Sequence, residues 1–230
     1  MKIFAIQLQH LQEIEARKQI DRLKPFVSPE KRAAAERFRF LIDARRTLLG
    51  EVLIRQIIHD MYAIPIDQIV FETEENGKPV VRQIPSFHFN LSHSGDWVVC
   101  AVDDAPVGID IEEMKPIDLT IAKRFFSNDE YQDLLSQPVE RQEAYFFHLW
   151  SMKEAFIKLT GKGLSYGLSS FTARLSKDGQ ATLTLPDHEA PCFVHIYSLD
   201  PAYQMAVCTR KPVAAESVET LTCKEVLSRL

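Results

Sequence analysis

PVGIDIEEMKP, residues 106–116, alternates apolar and polar side chains from Val107 to Glu112 and so reads as a β-strand with one face in a core. Strand side chains point to opposite faces in turn. Ile109 and Ile111 therefore face inward, while Asp110 and Glu112 share the other side, roughly 6–7 Å apart. Two like charges that close repel each other. They are tolerated where both face water, or where a cation lies between them; oxygen ligands without Cys or His select a hard ion such as Mg²⁺. The strand by itself leaves both readings open.

The neighbouring sequence builds outward from this strand. WVVCAV (97–102) precedes it across the turn DDAP. Before that, Phe87, Phe89 and Leu91 alternate with His88, Asn90 and Ser92, a half-buried strand that ends in the polar turn SHSGD. IVFET (69–73), the turn ENGKP (75–79) and VVRQI (80–84) predict a hairpin, and residues 3–8 a short strand. Ser28 followed by Pro29 marks a helix start, since serine accepts an orphan amide bond and proline tolerates the first helical position. Helix is expected from there to about Tyr62, with a break near Asp43; Leu49, Val52, Leu53 and Ile57 give it an apolar face. Downstream, residues 118–126 and 128–137 are expected to be helical, and 139–160 forms a long helix closed by Gly161. SSFTARLSKDGQATLTL (169–185) and CFVHIYSLDPAYQMAVCTR (192–210) predict two more hairpins.

Both halves run helices first and antiparallel hairpins afterwards. This predicts an α+β fold of two similar halves, 1–105 and 106–211, consistent with internal duplication, plus an unassigned polar tail over 212–230. At 230 residues and 46% hydrophobic content the chain can bury a substantial core. The start MKIFAIQLQH carries no charged leader, and no run reaches the ~18 apolar residues that would span a bilayer, so a cytoplasmic protein is expected. Cys100, Cys192, Cys208 and Cys223 form no C-x-x-C pair, which argues against a zinc site or a disulfide framework. A net charge of −5 argues against nucleic acid as partner.

On the long helix, HLWSMKEAFIKLTGKG (148–163), Trp150, Glu154 and Lys158 fall at i, i+4 and i+8 and share a face. A third carboxylate and a cation then point together. The same spacing also fits a surface ion pair between Glu154 and Lys158, contributing only ~0.3–0.5 kcal/mol.

Taken together, GIDIE followed some forty residues later by WSMKEAFIK resembles the signature of the 4′-phosphopantetheinyl transferases of the surfactin-synthetase-associated type. SPEKR, DARRTLLGEVL, ENGKPVV, FHFNLSHSGDWVVCAV and KPIDLTIAKRFFS extend the resemblance over nearly the whole chain, to about Arg210. The resemblance implies a fold of two pseudo-symmetric α+β halves. It implies transfer of phosphopantetheine from coenzyme A to a serine of an acyl or peptidyl carrier protein, as in nonribosomal peptide and antibiotic synthesis, with 3′,5′-ADP leaving. It implies Mg²⁺ held by Asp110, Glu112 and Glu154, with Lys158 on the pyrophosphate and Ser92 and His93 on coenzyme A phosphate. Lys31 and Thr47 match positions near the 3′-phosphate, and Gly77, Lys78 and Pro79 match the loop lining the adenine. Ala34 departs from the pattern, standing where close relatives carry a second lysine; Arg46 is the candidate to replace it.

Glu130 and Glu154 are the candidate bases. SNDE (127–130) also fits a capping box in which Glu130 only stabilises a helix start. Carrier docking is expected over residues 114–126: Lys115, Lys123 and Arg124 would meet acidic groups, and Met114, Ile117, Leu119 and Phe125 would cover apolar ones. The same segment also fits an amphipathic helix with its apolar side inward. Trp150 either covers the metal or fills the core. A monomer is expected, since a duplicated chain supplies both halves of a site. Two other functions compete: a metal-dependent hydrolase of a nucleotide pyrophosphate, which could use the same three acids but is disfavoured by the long apolar-basic segment, and a non-catalytic module that binds carrier proteins or nucleotides, which has no need of three acids.

Overall fold

The computed structural model describes residues 1–74, 77–176, 178–212 and 217–230. The chain runs through β1 (Lys2–Gln7), α1 (Glu13–Leu23), α2 (Pro29–Arg37), α3 (Leu41–Tyr62), β2 (Glu72–Thr73), β3 (Pro79–Val80), β4 (His88–Ser94), β5 (Trp97–Asp103) and β6 (Val107–Glu113). It continues through α4 (Ala122–Phe125), α5 (Asn128–Ser136), α6 (Val139–Thr160), β7 (Thr172–Leu175), β8 (Ala181–Thr184), β9 (Phe193–Tyr197), β10 (Tyr203–Thr209), β11 (Val218–Thr222) and α7 (Cys223–Ser228).

Period-two alternation explains the layering. In β5, Trp97, Val99 and Ala101 join Ile3 and Ala5 of β1 in a core shared with Val107, Ile109 and Ile111 of β6 and Met205 and Val207 of β10. The intervening Val98, Cys100 and Val102 turn to the other side and meet α3. One sheet, ordered β11-β1-β5-β4, thus faces a second, ordered β6-β10-β9. The second sheet's outer face is covered by α6 through Met152, Ala155, Phe156 and Leu159, packed with Ala206 and Cys208. The layers are helix, sheet, sheet, helix, and α3 and α6 are each 22 residues long. Because α1 and α2 cover α3 from the side away from the sheet, it is buried around its circumference from Leu48 to Ile58, including the polar Glu51, Arg55 and Gln56.

Ser28 caps α2 as expected, its Oγ accepting from the Lys31 amide at 3.3 Å. Buried Glu51 on α3 fixes that cap, accepting from Ser28 N (2.6 Å) and Ser28 Oγ (2.8 Å). The expected helix over 28–62 is broken at residues 38–40, slightly before Asp43. The hairpin around ENGKP forms as β2 and β3, with Glu75 and Asn76 outside the described residues. VVRQI contributes only Val80 to a strand; Val81 and Ile84 instead bury into the first core while the chain turns. Residues 118–126 make a 3-10 turn (Leu119–Ile121) before the short α4, and α6 spans the expected 139–160 with Gly161 left-handed at φ 71°. The two C-terminal hairpins form as β7–β8 and β9–β10. Lys177, in the first turn, lies outside the described residues.

Three elements were not expected from the sequence. α1 buries Ala16, Ile20 and Leu23. The tail after Pro212 returns to the start of the chain: β11 pairs parallel with β1, and α7 buries Cys223, Val226 and Leu227.

Candidate active site

Asp110 and Glu112 lie on the face of β6 turned toward α6, opposite Ile109 and Ile111, as the alternation requires. Gly108 allows α6 to press onto that strand; a Cβ there would stand 2.0 Å from the Ala155 carbonyl oxygen. The close crossing brings Glu154 and Lys158 over the strand acids. Lys158 Nζ donates to Asp110 Oδ1 at 2.6 Å and to Ser92 Oγ at 2.9 Å. The lysine is thus committed to Asp110 rather than to the i−4 pair with Glu154. Ser92 Oγ donates to Asp110 Oδ1 (2.9 Å), and two residues on Ser94 Oγ donates to Glu112 Oε2 (3.2 Å).

Electrostatics set these acids apart. Burial raises the Asp110 pKa against the pull of Lys158, and burial plus repulsion from Asp110 pushes Glu112 up to about 7. Glu154 is raised for the same two reasons. Each of the three therefore pays for its charge with little water to help, and each feels another member of the group. Asp110 Oδ2 is buried and without a hydrogen-bond partner among the described residues. All-oxygen donors, mutual repulsion and an unsatisfied buried oxygen fit a hard divalent cation by donor type. The fit is not a closed coordination shell. Among the described residues no group of three or more His, Cys, Asp or Glu side chains is already drawn together to hold an ion, and Lys158 occupies one oxygen of Asp110.

Of the other expected residues, His93 lies in electrostatic reach of both Arg46 and Lys158, and Lys78 bonds to the Lys158 carbonyl. The His93 imidazole is held below its ordinary pKa by desolvation and by the Arg46 and Lys158 cations, so the three share one electropositive corner. Arg46 is already engaged: its Nε donates to Gly95 O at 2.8 Å, Nη2 donates to the same carbonyl, and Nη1 pairs with Asp43 at 2.8 Å. Lys31 is exposed on α2 and Thr47 half-buried on α3. Gly77 is left-handed at φ 86° in its turn, and Pro79 begins β3. Lys78 reaches across to the other half, donating to Lys158 O at 2.9 Å near the C-terminal end of α6 and to Val107 O at 3.3 Å at the start of β6. A cavity of about 980 Å³ is lined by Arg46, Gly95, Glu113 and Lys115 together with Phe38, Phe40 and residues of α1; none of the three acids is in its lining.

Glu130 has no access to a substrate. It is fully buried; Oε2 accepts from Ser127 N at 2.6 Å to complete the capping box, while Oε1 accepts from Lys153 Nζ and Ala173 N, both at 2.5 Å. The capping box is present, and both Glu130 oxygens are engaged by structural partners, which argues against Glu130 as the base. In the segment 114–126, Met114, Ile117, Leu119 and Phe125 are half-buried against the α6 core, whereas Ile121, Lys123 and Arg124 are exposed. Trp150 stacks on Phe146 (centroids 5.6 Å apart, 22° between planes) and meets Phe125 edge-on, joining core to rim. Ser94 and Gly108 are site residues that sequence reasoning passed over. Ser94 repeats Ser92 at strand period, a legible signal; what the glycine must clear lies on a helix some fifty residues away.

Comparison with known proteins bears directly on this arrangement. Residues 106–208 match the 4′-phosphopantetheinyl transferase superfamily model, and residues 15–105 match the model of the 4′-phosphopantetheinyl transferase N-terminal region. The chain is 86% identical over 230 residues to the 4′-phosphopantetheinyl transferase psf-1 of Bacillus pumilus, covering 100% of this chain and 99% of that protein. It is 48% identical over 227 residues to the 4′-phosphopantetheinyl transferase Sfp of Bacillus subtilis (99% and 100% covered). To the 4′-phosphopantetheinyl transferase gsp of Aneurinibacillus migulanus it is 39% identical over 183 residues (80% and 76% covered).

Proposed function

Because the chain belongs to the 4′-phosphopantetheinyl transferase superfamily, we propose that Asp110, Glu112 and Glu154 hold Mg²⁺ against the pyrophosphate of coenzyme A, with Lys158, Ser92 and His93 on its phosphates. The enzyme moves 4′-phosphopantetheine from coenzyme A to a serine of an apo carrier protein, leaving 3′,5′-ADP. The convergence of three desolvated acids and Lys158 at the crossing of β6 and α6 is the observation that carries the site assignment.

When bound, the ion would offset charge on the transferred phosphoryl group. The serine Oγ bonds to the β-phosphorus, the bond from that phosphorus to the bridging oxygen breaks, and the electron pair leaves on 3′,5′-ADP. The serine proton passes to Glu154 as the general base. Lys158 is a point charge that stabilises the departing phosphate once it leaves Asp110. Lys31 and Thr47 meet the 3′-phosphate, and Arg46 acts there through the Gly95 turn it holds. Gly77, Lys78 and Pro79 line the adenine with their backbone, the Lys78 ammonium tying that loop to α6.

Carrier proteins that accept this group are acidic and dock on residues 114–126, where Lys123, Arg124 and Ile121 are exposed beside Phe125 and Trp150. One chain is the working unit, with one wall of the cleft from 1–105 and the other from 106–211. No helix among the described residues is long and apolar enough to cross a membrane, and we assign the reaction to the cytoplasm.

Incubation with coenzyme A, Mg²⁺ and apo acyl or peptidyl carrier proteins should add one phosphopantetheine group by intact mass, and Asp110→Ala should abolish the gain. Turnover of coenzyme A without an acceptor, and no mass gain on any carrier, would refute the assignment.

A further inference from the structure

Alternate amides of a strand point to opposite edges, and those of Ile109, Ile111 and Glu113 leave β6 on the side away from β10. Such an edge is ordinarily met by the backbone of another strand. Here it is met by side chains of β4. Asn90 Oδ1 accepts from Ile109 N at 2.8 Å, Ser92 Oγ from Ile111 N at 3.3 Å and Ser94 Oγ from Glu113 N at 3.1 Å, with one constant offset of 19 residues. The two sheets are thereby sutured in fixed register along the line that carries the acids.

The serines do more than accept. A hydroxyl has one proton and two lone pairs. Ser92 gives its proton to Asp110 and Ser94 gives its own to Glu112, in each case the residue just before the amide it accepts from. The same unit, amide in and carboxylate out, is built twice at a spacing of two residues. A slip of one residue would turn Asp110 and Glu112 into the inter-sheet core, and a slip of two would give each acid the wrong serine.

We propose that Asn90, Ser92 and Ser94 form a register clamp in which Asn90 and Ser94 are positioning residues of the transfer, fixing Asp110 and Glu112 at the spacing and orientation a divalent ion needs. This rests on the ion assignment above. It predicts that removing one clamp hydroxyl loosens the ion before it loosens coenzyme A.

The experiment uses the full chain, its Ser94→Ala, Ser94→Thr and Asn90→Ala variants, hydrogen exchange of the Ile109 and Glu113 amides, and calorimetric titration with Mg²⁺ in the presence of coenzyme A. In Ser94→Ala the Glu113 amide should exchange faster, and the Mg²⁺ concentration for half-saturation should rise about 10-fold, while coenzyme A affinity without metal stays within about two-fold. Threonine at the position keeps the hydroxyl and should restore both readings. Asn90→Ala should free the Ile109 amide with a smaller rise in half-saturation, and with Ser94→Thr it keeps the test open if Ser94→Ala does not fold. Faster exchange with an unchanged Mg²⁺ titration would reduce the clamp to a structural device and overturn the proposal; so would unchanged exchange. Absence of Mg²⁺ uptake by the unmutated protein would instead remove the ion assignment, and the positioning role with it.

Discussion

Gly108 and Ala155 meet backbone to backbone: a Cβ on the glycine would stand 2.0 Å from the Ala155 carbonyl oxygen and 2.4 Å from Leu159 N. Neither contact is the end of a flexible side chain, so Gly108→Ala must lift α6 off β6. Overpacking of this kind costs about 1–3 kcal/mol. The larger effect is on chemistry, because Glu154 and Lys158 travel with the helix, and a displacement near 1 Å can cost about 100-fold in rate. Thermal unfolding should show a lowered midpoint, and mass-resolved transfer a loss of at least about that size. A Gly108→Ala protein with wild-type turnover would mean that the helix yields without moving the site.

Asp110 separates stability from activity. Its carboxylate is buried, its Oδ2 lacks a hydrogen-bond partner among the described residues, and burial raises its pKa in spite of Lys158 at 2.6 Å. The charged form is therefore poorly served by its surroundings, and a neutral isostere gives up little. Asp110→Asn should melt within about 2–4 °C of the parent, the shift that roughly 1 kcal/mol produces in a chain of this size. Transfer should fall by more than the ~10–100-fold seen when only an outer partner of a metal ligand is lost. Collapse of the fold in Asp110→Asn would show that the carboxylate is structural first.

Glu130 and Lys153 make the opposite case. Both side chains are fully buried, 2.5 Å apart, and Lys153 also donates to Phe171 O and lies over the Phe171 ring. Removing one partner of such a pair leaves an uncompensated charge inside and costs about 3–5 kcal/mol. Urea denaturation of Glu130→Ala should show a loss of that order. Assayed at a temperature where it stays folded, the variant should keep the pH–rate profile of the parent, whereas Glu154→Gln should lose the basic group's limb along with most of the rate. A changed profile in folded Glu130→Ala would return the base role to Glu130.

What could be read from the sequence follows from the range of each signal. Asp110 and Glu112 declared a shared face because strand alternation is local, and Gly161 closed α6 because a left-handed C-cap is local too. The cap at Ser127 was equally legible, but its chemistry stayed ambiguous until Lys153 and Ala173 were seen to use up Glu130. α1 escaped notice because Gln12 provides no side-chain cap and only Ala16, Ile20 and Leu23 mark its buried face. The clearance at Gly108, the engagement of Arg46 with Gly95 and the serine clamp are contacts between distant segments, and no spacing rule announces them.

His148 and His195 give stability a pH dependence apart from the acids. Burial holds both imidazoles below their ordinary pKa, and His148 Nδ1 and His195 Nε2 are buried without hydrogen-bond partners among the described residues. In the unfolded chain each binds a proton near the ordinary value of about 6.5, while the folded protein resists until lower pH. Unfolded chain then binds more protons, so stability is undiminished above that value and is lost as pH falls through and below it. Each histidine contributes at most about 1.4 kcal/mol per pH unit to that loss. Urea midpoints at pH 7 and pH 5 should show a smaller loss in His148→Gln than in the parent, by about 1 kcal/mol. Equal losses would mean that His148 charges freely in the folded protein.

The tail beyond Pro212 carries stability for the opposite end of the chain. β11 pairs with β1 from Ile3↔Val218 to Gln7↔Thr222, and Thr222 and Glu225 form the capping box that starts α7. α7 then drives Val226 and Leu227 into the core around α3, while Val226 O accepts from Gln56 Nε2 at 2.8 Å and Leu227 O from Arg22 Nη2 at 2.9 Å. Ending the chain after Pro212 would turn β1 into an open sheet edge, strand Gln56 in a buried site and uncover apolar residues of α3, so insoluble protein is expected. Val226→Ala is the gentler test: its loss of two buried carbons should lower stability by about 2 kcal/mol. Its effect falls on the α3 core and not on the seam of β4 with β6, so transfer per folded molecule should be unchanged. A truncated protein that stays folded and active, or Val226→Ala with a parental unfolding midpoint, would show that the first half holds together without its C-terminal strand and helix.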